Sequence, residues 1–292
     1  MTTWNILYRG SLSSCNYDCG YCPFAKTSNT RSELAQDERE LQRFVGWVER
    51  QQSRIGILIT PWGEALIHDY YRRAMVTLSH YPNVYRISLQ TNLSGPIAQL
   101  TKADRETLAL WTTFHPSQTS LDQFMSRCAD LDAGSIAYSV GVVGLREHFQ
   151  LIQELRQRLR PEIYLWVNAY KRKADYYTAD DIAQLLAIDP YFQWNLRAYA
   201  TKGQPCSTGE TSFTVDATGD MRRCHLIKTV IGNIYEDGFE AKLKPRKCTS
   251  DACGCHIGYI HQPGLRLTEL YGPGLLERRP IDWPRTRREF TG

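Results

Sequence analysis

From residue 3 to about residue 188, short apolar runs alternate with stretches of helical periodicity. Period-2 and short continuous apolar runs predict strands at 4–8, 55–60, 84–89, 108–114, 136–141 and 163–169. Helical spacing predicts helices near 32–52, 69–81, 96–105, 121–128, 145–159 and 178–187. The last has a clear start: Thr178 is placed to cap it, and Asp180 and Asp181 fall in its first turn, where the helix dipole favours carboxylates. Six βα units in succession imply a parallel sheet, flat or closed into part of a barrel.

Near residue 190 the rhythm changes. Residues 211–215, the turn Asp216-Ala217-Thr218-Gly219 and residues 220–224 read as a β-hairpin, with Gly219 free to take the left-handed turn conformation. A loop region bearing cysteines follows, and from Gly264 the chain is richer in Pro, Gly and Arg. The expected division is a barrel over 1–195, a small hairpin domain over 196–262 and a tail over 263–292 packed on the barrel.

Composition narrows the class. A chain of 292 residues with 42% hydrophobic content has enough apolar side chain for a large core. A net charge of +4 is mildly basic and does not point to nucleic acid. No stretch approaches 18 apolar residues, and the first ten residues carry no secretory pattern, so no membrane partner and a cytosolic location are expected. In that compartment thiols stay reduced, and nine cysteines, an odd number, argue for metal or catalysis rather than disulfides.

Their placement is more informative than their number. Cys15, Cys19 and Cys22 lie on a loop directly after the first predicted strand, with C-x3-C-x2-C spacing. Three thiolates on one tight loop suit three irons of a cubane cluster and leave the fourth iron open, as a catalytic site requires. A structural zinc knuckle is the competing reading, but zinc wants a fourth ligand and no His or further Cys is close in sequence.

With this spacing after strand one, and Tyr21 just before the last cysteine, the sequence resembles the radical S-adenosylmethionine (SAM) superfamily over roughly residues 4–200. The resemblance implies an α/β fold with a partial (β/α)6 TIM-like barrel. It also implies a [4Fe-4S] cluster on Cys15, Cys19 and Cys22, whose open iron is chelated by SAM. Reductive cleavage of SAM would give a 5′-deoxyadenosyl radical that takes a hydrogen from substrate, fed by an electron donor such as flavodoxin or ferredoxin. Thr60-Pro61-Trp62-Gly63-Glu64-Ala65 stands where the family has Gly-Gly-Glu-Pro, which assigns Gly63 and Glu64 to the methionine amino group. Trp62 and Ala65 depart from that pattern.

Polar residues at the ends of later strands are further candidates at the barrel mouth. Tyr21, Asn92, Ser139 and Asn168 are taken as cofactor-binding, and His115 as a base or a substrate-orienting group. Helix capping and loop satisfaction are the plainer roles open to each.

A second set comprises Cys206, Cys224, Cys248, Cys253 and Cys255. Cys206 before the hairpin and Gly219-x4-Cys224 at its end resemble the C-terminal extensions called twitch or SPASM domains. The resemblance implies an auxiliary [4Fe-4S] cluster on Cys206, Cys224 and Cys248, with Cys253 and Cys255 competing for the fourth place. Five cysteines are too few for two such cubanes, and a four-cysteine zinc site is the alternative. Cys128, alone on a predicted helix, reads as a buried filler. The arginines of the tail (Arg278, Arg279, Arg285, Arg287, Arg288) read as a solvated charged segment, against an anion-binding role.

The resulting expectation is an oxidoreductase or maturase acting on a peptide or amino-acid-like substrate. Dehydrogenation of a small sugar or aminocyclitol is the alternative, and a non-enzymatic iron–sulfur carrier or scaffold is the alternative of another class.

Overall fold

The structure, a computed structural model, describes residues 2–24, 27–272 and 278–283. Its framework is β1 (Thr3–Tyr8), α1 (Arg31–Glu49), β2 (Arg54–Ile59), α2 (Asp69–Ser79), β3 (Val84–Thr91), β4 (Leu108–Phe114), α3 (Leu121–Ala133), β5 (Ala137–Val143), α4 (Phe149–Arg158), β6 (Leu165–Asn168) and α5 (Ala179–Ile188). Strands β1 to β6 pair in chain order and all in parallel. This is a parallel α/β sheet of the partial-barrel kind, as the alternating pattern predicts.

Strand alternation sorts the apolar side chains to two faces. Ile6 and Tyr8, Ile57 and Ile59, Leu110 and Val140 join the main core with the inner stripes of the helices. Leu7, Leu58, Trp111 and Trp166 point the other way, into a second core completed by Tyr259, Ile260, Leu267, Tyr271 and Trp283. The C-terminal segment therefore covers the face of the sheet that the helices leave free.

The helices start where the sequence has capping residues. Thr30 with Glu33, Ser120 with Gln123, and Thr178 with Asp181 each form a reciprocal capping box. The helix expected over 96–105 is instead a 3-10 segment, Ala98–Lys102. Its buried Leu100 and the buried cap residues Ile97 and Ala103 on either side recur every third position, the period of a 3-10 helix. The helix begun at Leu121 runs past Cys128 to Ala133, because Leu131 continues its buried stripe.

Beyond residue 195 come β7 (Tyr199–Ala200), β8 (Pro205–Cys206), β9 (Ser212–Val215), β10 (Asp220–Arg222), β11 (Val230–Asn233), β12 (Arg246–Lys247) and β13 (Ala252–Cys253), then α6 (His256–Tyr259) and α7 (Leu267–Tyr271). The expected hairpin is β9–β10. Its turn has Gly219 at φ 91°, and the Asp216 carboxylate accepts from the backbone N–H of Thr218 and Asp220 at 3.0 and 3.1 Å. The hairpin joins the main sheet: β9 pairs in parallel with β1, Asn5 opposite Ser212 and Tyr8 opposite Val215. The nine-stranded order is β11-β10-β9-β1-β2-β3-β4-β5-β6. No helix among the described residues is long and apolar enough to cross a membrane.

Candidate functional site

The loop after β1 is held from outside by two side chains that accept several bonds each. Asp37, fully buried on the inner stripe of α1, accepts from the N–H of Ser11 at 2.7 Å and of Leu12 at 3.0 Å. The Tyr70 hydroxyl donates to the same carboxylate at 2.8 Å. Asn29 Oδ1 accepts from the N–H of Ser13 and of Ser14, both at 2.8 Å. From the other side the loop after β2 packs so closely that a Cβ on Gly63 would lie 2.0 Å from the Ser14 carbonyl oxygen. Only glycine fits there, so Gly63 sets how near the two loops approach.

Cys15, Cys19 and Cys22 line one cavity of about 480 Å³ at the C-terminal ends of the parallel strands, the end where such folds place chemistry. Cys15 Sγ accepts from the Tyr17 N–H at 3.4 Å and from Asn92 Nδ2 at 3.7 Å. Cys19 Sγ lies 3.3 Å from His115 Nδ1, which is 2.7 Å from the Tyr21 hydroxyl. His115, expected as a base or orienting group, thus stands against a cysteine of the loop and stacks on Tyr21, with ring centroids 5.9 Å apart. Burial lowers its imidazole to about 4, so it is neutral at physiological pH.

Glu64 lines the same cavity and is almost wholly buried. Its carboxylate accepts from the Leu66 N–H at 2.9 Å, the Thr91 hydroxyl at 2.5 Å and the Asn92 N–H at 2.7 Å. Burial pushes its pKa up while these three bonds pull it down, and burial prevails. Glu64 therefore also ties the β2 loop to the end of β3. Asn168 lines the cavity and accepts from Asn195 Nδ2 at 3.0 Å. Ser139 is buried inside β5, its carbonyl accepting from Thr112, and is not among the residues that line the cavity.

The second cysteine set divides. Cys206, Cys224, Cys248 and Cys253 surround a small separate cavity with Leu226 and Pro205. Two-residue pairings assemble it: Arg246 opposite Cys206 between β12 and β8, and Cys253 opposite Tyr199 between β13 and β7. Cys224 Sγ accepts from the Leu226 N–H at 3.3 Å. Cys255 lies instead on the wall of the large cavity. Cys128 is in the main core on α3, where burial pushes its thiol up to about 12.

Both donor sets suit iron–sulfur clusters. Among the described residues no three His, Cys, Asp or Glu side chains converge on a point that could hold a single metal ion. A cubane makes a different demand, since each thiolate reaches its own corner iron. Three thiols beside a large cavity fit a cluster with one accessible iron, and four thiols around a small separate one fit full cysteine ligation. The burial that raises the Cys15, Cys224 and Cys253 thiols would be countered by bound iron.

Sequence reasoning missed Arg9 and misread Arg278. Arg9, at the end of β1, is buried on the cavity wall with its guanidinium 4.2 Å from the Trp62 ring centroid. Arg278, expected in a solvated tail, is 3% exposed and stacks over Trp166 at 4.5 Å. The aromatic stripe on the inner sheet face offers it a cation–π seat that composition does not reveal. Arg285, Arg287 and Arg288 lie outside the described residues.

No protein-family model matches the sequence. No curated protein matches it either. Solved structures do match in fold. Native anSMEcpe with bound AdoMet and the Kp18Cys peptide superposes with a TM-score of 0.55 at 13% identity, over 82% of this chain and 80% of that one. Native anSMEcpe with bound AdoMet gives 0.51 at 12% identity, over 82% and 83%. BtrN in complex with AdoMet and 2-DOIA covers 84% and 88% at 14% identity with a TM-score of 0.37. The chain has the fold of radical SAM enzymes.

Proposed function

We propose that this chain is a radical SAM enzyme with one auxiliary cluster, acting on a peptide or amino-acid-like substrate. The observation that carries the proposal is the separation of the cysteines into two ligand sets on a partial barrel. One lines a large cavity and the other surrounds a small separate one. Cys15, Cys19 and Cys22 would hold the SAM-binding [4Fe-4S] cluster. Cys206, Cys224, Cys248 and Cys253 would hold the auxiliary one. When bound, the first cluster and SAM supply a 5′-deoxyadenosyl radical, and the auxiliary cluster supplies an electron acceptor for oxidation or bond formation.

The chain's own residues bind and orient. Asp37 and Asn29 fix the cysteine loop, and Gly63 lets the β2 loop lie against it. Glu64 and Asn92 present polar groups beside Cys15, where an ammonium and a carboxylate of SAM need partners. His115 and Tyr21 act as positioning residues on Cys19. Trp111 and Trp166 bring aromatic ring surface to the cavity wall. The peptide in the anSMEcpe structure supports the substrate class by likeness of fold. A reductant such as flavodoxin or ferredoxin would deliver the electron.

Iron and sulfide counted after anaerobic reconstitution test the reading. About eight irons per chain should fall to about four in the Cys15/Cys19/Cys22→Ala triple variant. About four falling to none would remove the auxiliary cluster from the account.

A further inference from the structure

In the wall of the large cavity, Arg9, Trp111, Trp166 and Arg278 carry hydrogen-bond donors that the described residues leave unmet. Arg9 is at least nine-tenths buried, and among the described residues its side chain makes one hydrogen bond, from a terminal nitrogen to the Thr60 carbonyl at 2.8 Å. Its Nε has no partner there, and no described carboxylate pairs with it. A guanidinium carries five N–H donors and no acceptor. Trp111 Nε1, Trp166 Nε1 and Arg278 Nε are likewise buried and unpartnered among the described residues, and all three residues line the same cavity.

Lys171 completes the wall. Its ammonium donates to Asn195 Oδ1 at 2.7 Å and to the Gly254 carbonyl at 2.6 Å, both neutral acceptors. Among the described residues the single carboxylate on the cavity wall is Glu64, already committed to three donors. Arg278 has some compensation from buried Asp189 nearby. The Cys255 thiol is an electrostatic neighbour of both Arg9 and Lys171 on this wall. Arg9 is buried, and a buried cation without a counterion is costly and is normally paired, whereas Lys171 is exposed and adds its charge beside it.

We infer that this wall, centred on Arg9 and Lys171, binds an oxyanion of the substrate, a carboxylate or a phosphate. Arg9 is placed for forked recognition, with its flat face against Trp62 and its N–H edges free of described side-chain partners. The inference rests on the radical SAM reading only in treating the part of the cavity at the Cys15/Cys19/Cys22 loop as the cofactor's place. SAM has a carboxylate of its own, and the test separates the two.

The test is calorimetric titration of the reconstituted protein with inorganic phosphate and with succinate, at constant ionic strength, with and without saturating SAM. Succinamide serves as the neutral control. Saturable binding of one anion in the presence of SAM is expected, with none for succinamide; which anion binds distinguishes phosphate from carboxylate. Arg9→Gln should weaken that binding at least tenfold, and Arg9→Lys, which keeps the charge, should lose less. No saturable binding to the SAM-loaded protein overturns the inference. So does anion binding that SAM abolishes, which would assign Arg9 to the cofactor's carboxylate, or an Arg9→Gln variant that binds as wild type. Anion binding together with no heat from SAM would support the anion site and count against the radical SAM reading.

Discussion

Cys253 and Cys255, two residues apart, face different cavities: Cys253 closes the four-thiol site and Cys255 lines the large one. Residues at i and i+2 of a strand share a side. Strand β13 ends at Cys253, however, and the chain turns through Gly254 into α6, with Cys255 as its N-cap. The competition between these cysteines for the fourth auxiliary position is thereby given a geometric answer to test. Cys253→Ala should lower the reconstituted iron content from about eight to about four per chain, whereas Cys255→Ala should keep about eight. The reverse pattern would return Cys255 to the ligand set.

The cysteine loop depends on Asp37. Replacing it with alanine strands the N–H groups of Ser11 and Leu12 and the Tyr70 hydroxyl. An unsatisfied buried donor costs about 1–3 kcal/mol, so a loss of stability of that order or above is expected. Chemical denaturation of the apoprotein measures it. An unchanged midpoint would mean that the loop is held elsewhere.

Gly63 makes a sharper prediction. A methyl group there meets backbone rather than a movable side chain, 2.0 Å from the Ser14 carbonyl oxygen. Gly63→Ala should retain the helix and sheet signals of circular dichroism but lose the four irons assigned to Cys15, Cys19 and Cys22. Full iron content in a folded Gly63→Ala protein would show that the two loops separate without harm to the site.

The hairpin turn carries an acid-dependent contribution. Burial raises the Asp216 carboxyl, but the ion pair with Arg222 at 2.5 Å and the turn's own donors outweigh it and hold the pKa below 3.8. A depressed folded pKa gives stability that is present above the unfolded value and lost as pH falls through the folded one. Urea midpoints of wild type and Asp216→Asn should therefore differ near neutrality and converge below pH 3.8. A gap that persists in acid would assign the effect to packing instead.

Much of this arrangement was legible in the sequence. The six parallel strands follow from apolar runs buried on both faces, and the cap at Thr178 follows from residue type. The division of the cysteines into an N-terminal and a C-terminal group was visible from their placement, but the separation of Cys253 from Cys255 was not. What could not be read depends on contacts distant in sequence. The pairing of β9 with β1 joins residues about 207 positions apart, as in the Ser212 hydroxyl bond to the Asn5 carbonyl, and no local pattern specifies it. Arg278 looked like tail charge because its seat on Trp166 lies more than a hundred residues back in the chain. Asp37 left a signal, a carboxylate in register with Leu41, Phe44 and Val48 on one helical stripe, where a buried acid must have partners.

The most direct measurement is 5′-deoxyadenosine formed from SAM by the anaerobically reconstituted protein with a strong reductant. Radical SAM chemistry at the Cys15/Cys19/Cys22 loop predicts formation by wild type and its loss in the Cys15/Cys19/Cys22→Ala triple variant, which should still hold about four irons. Wild-type protein that carries both clusters yet forms no 5′-deoxyadenosine would contradict the radical chemistry and leave an iron–sulfur carrier in its place.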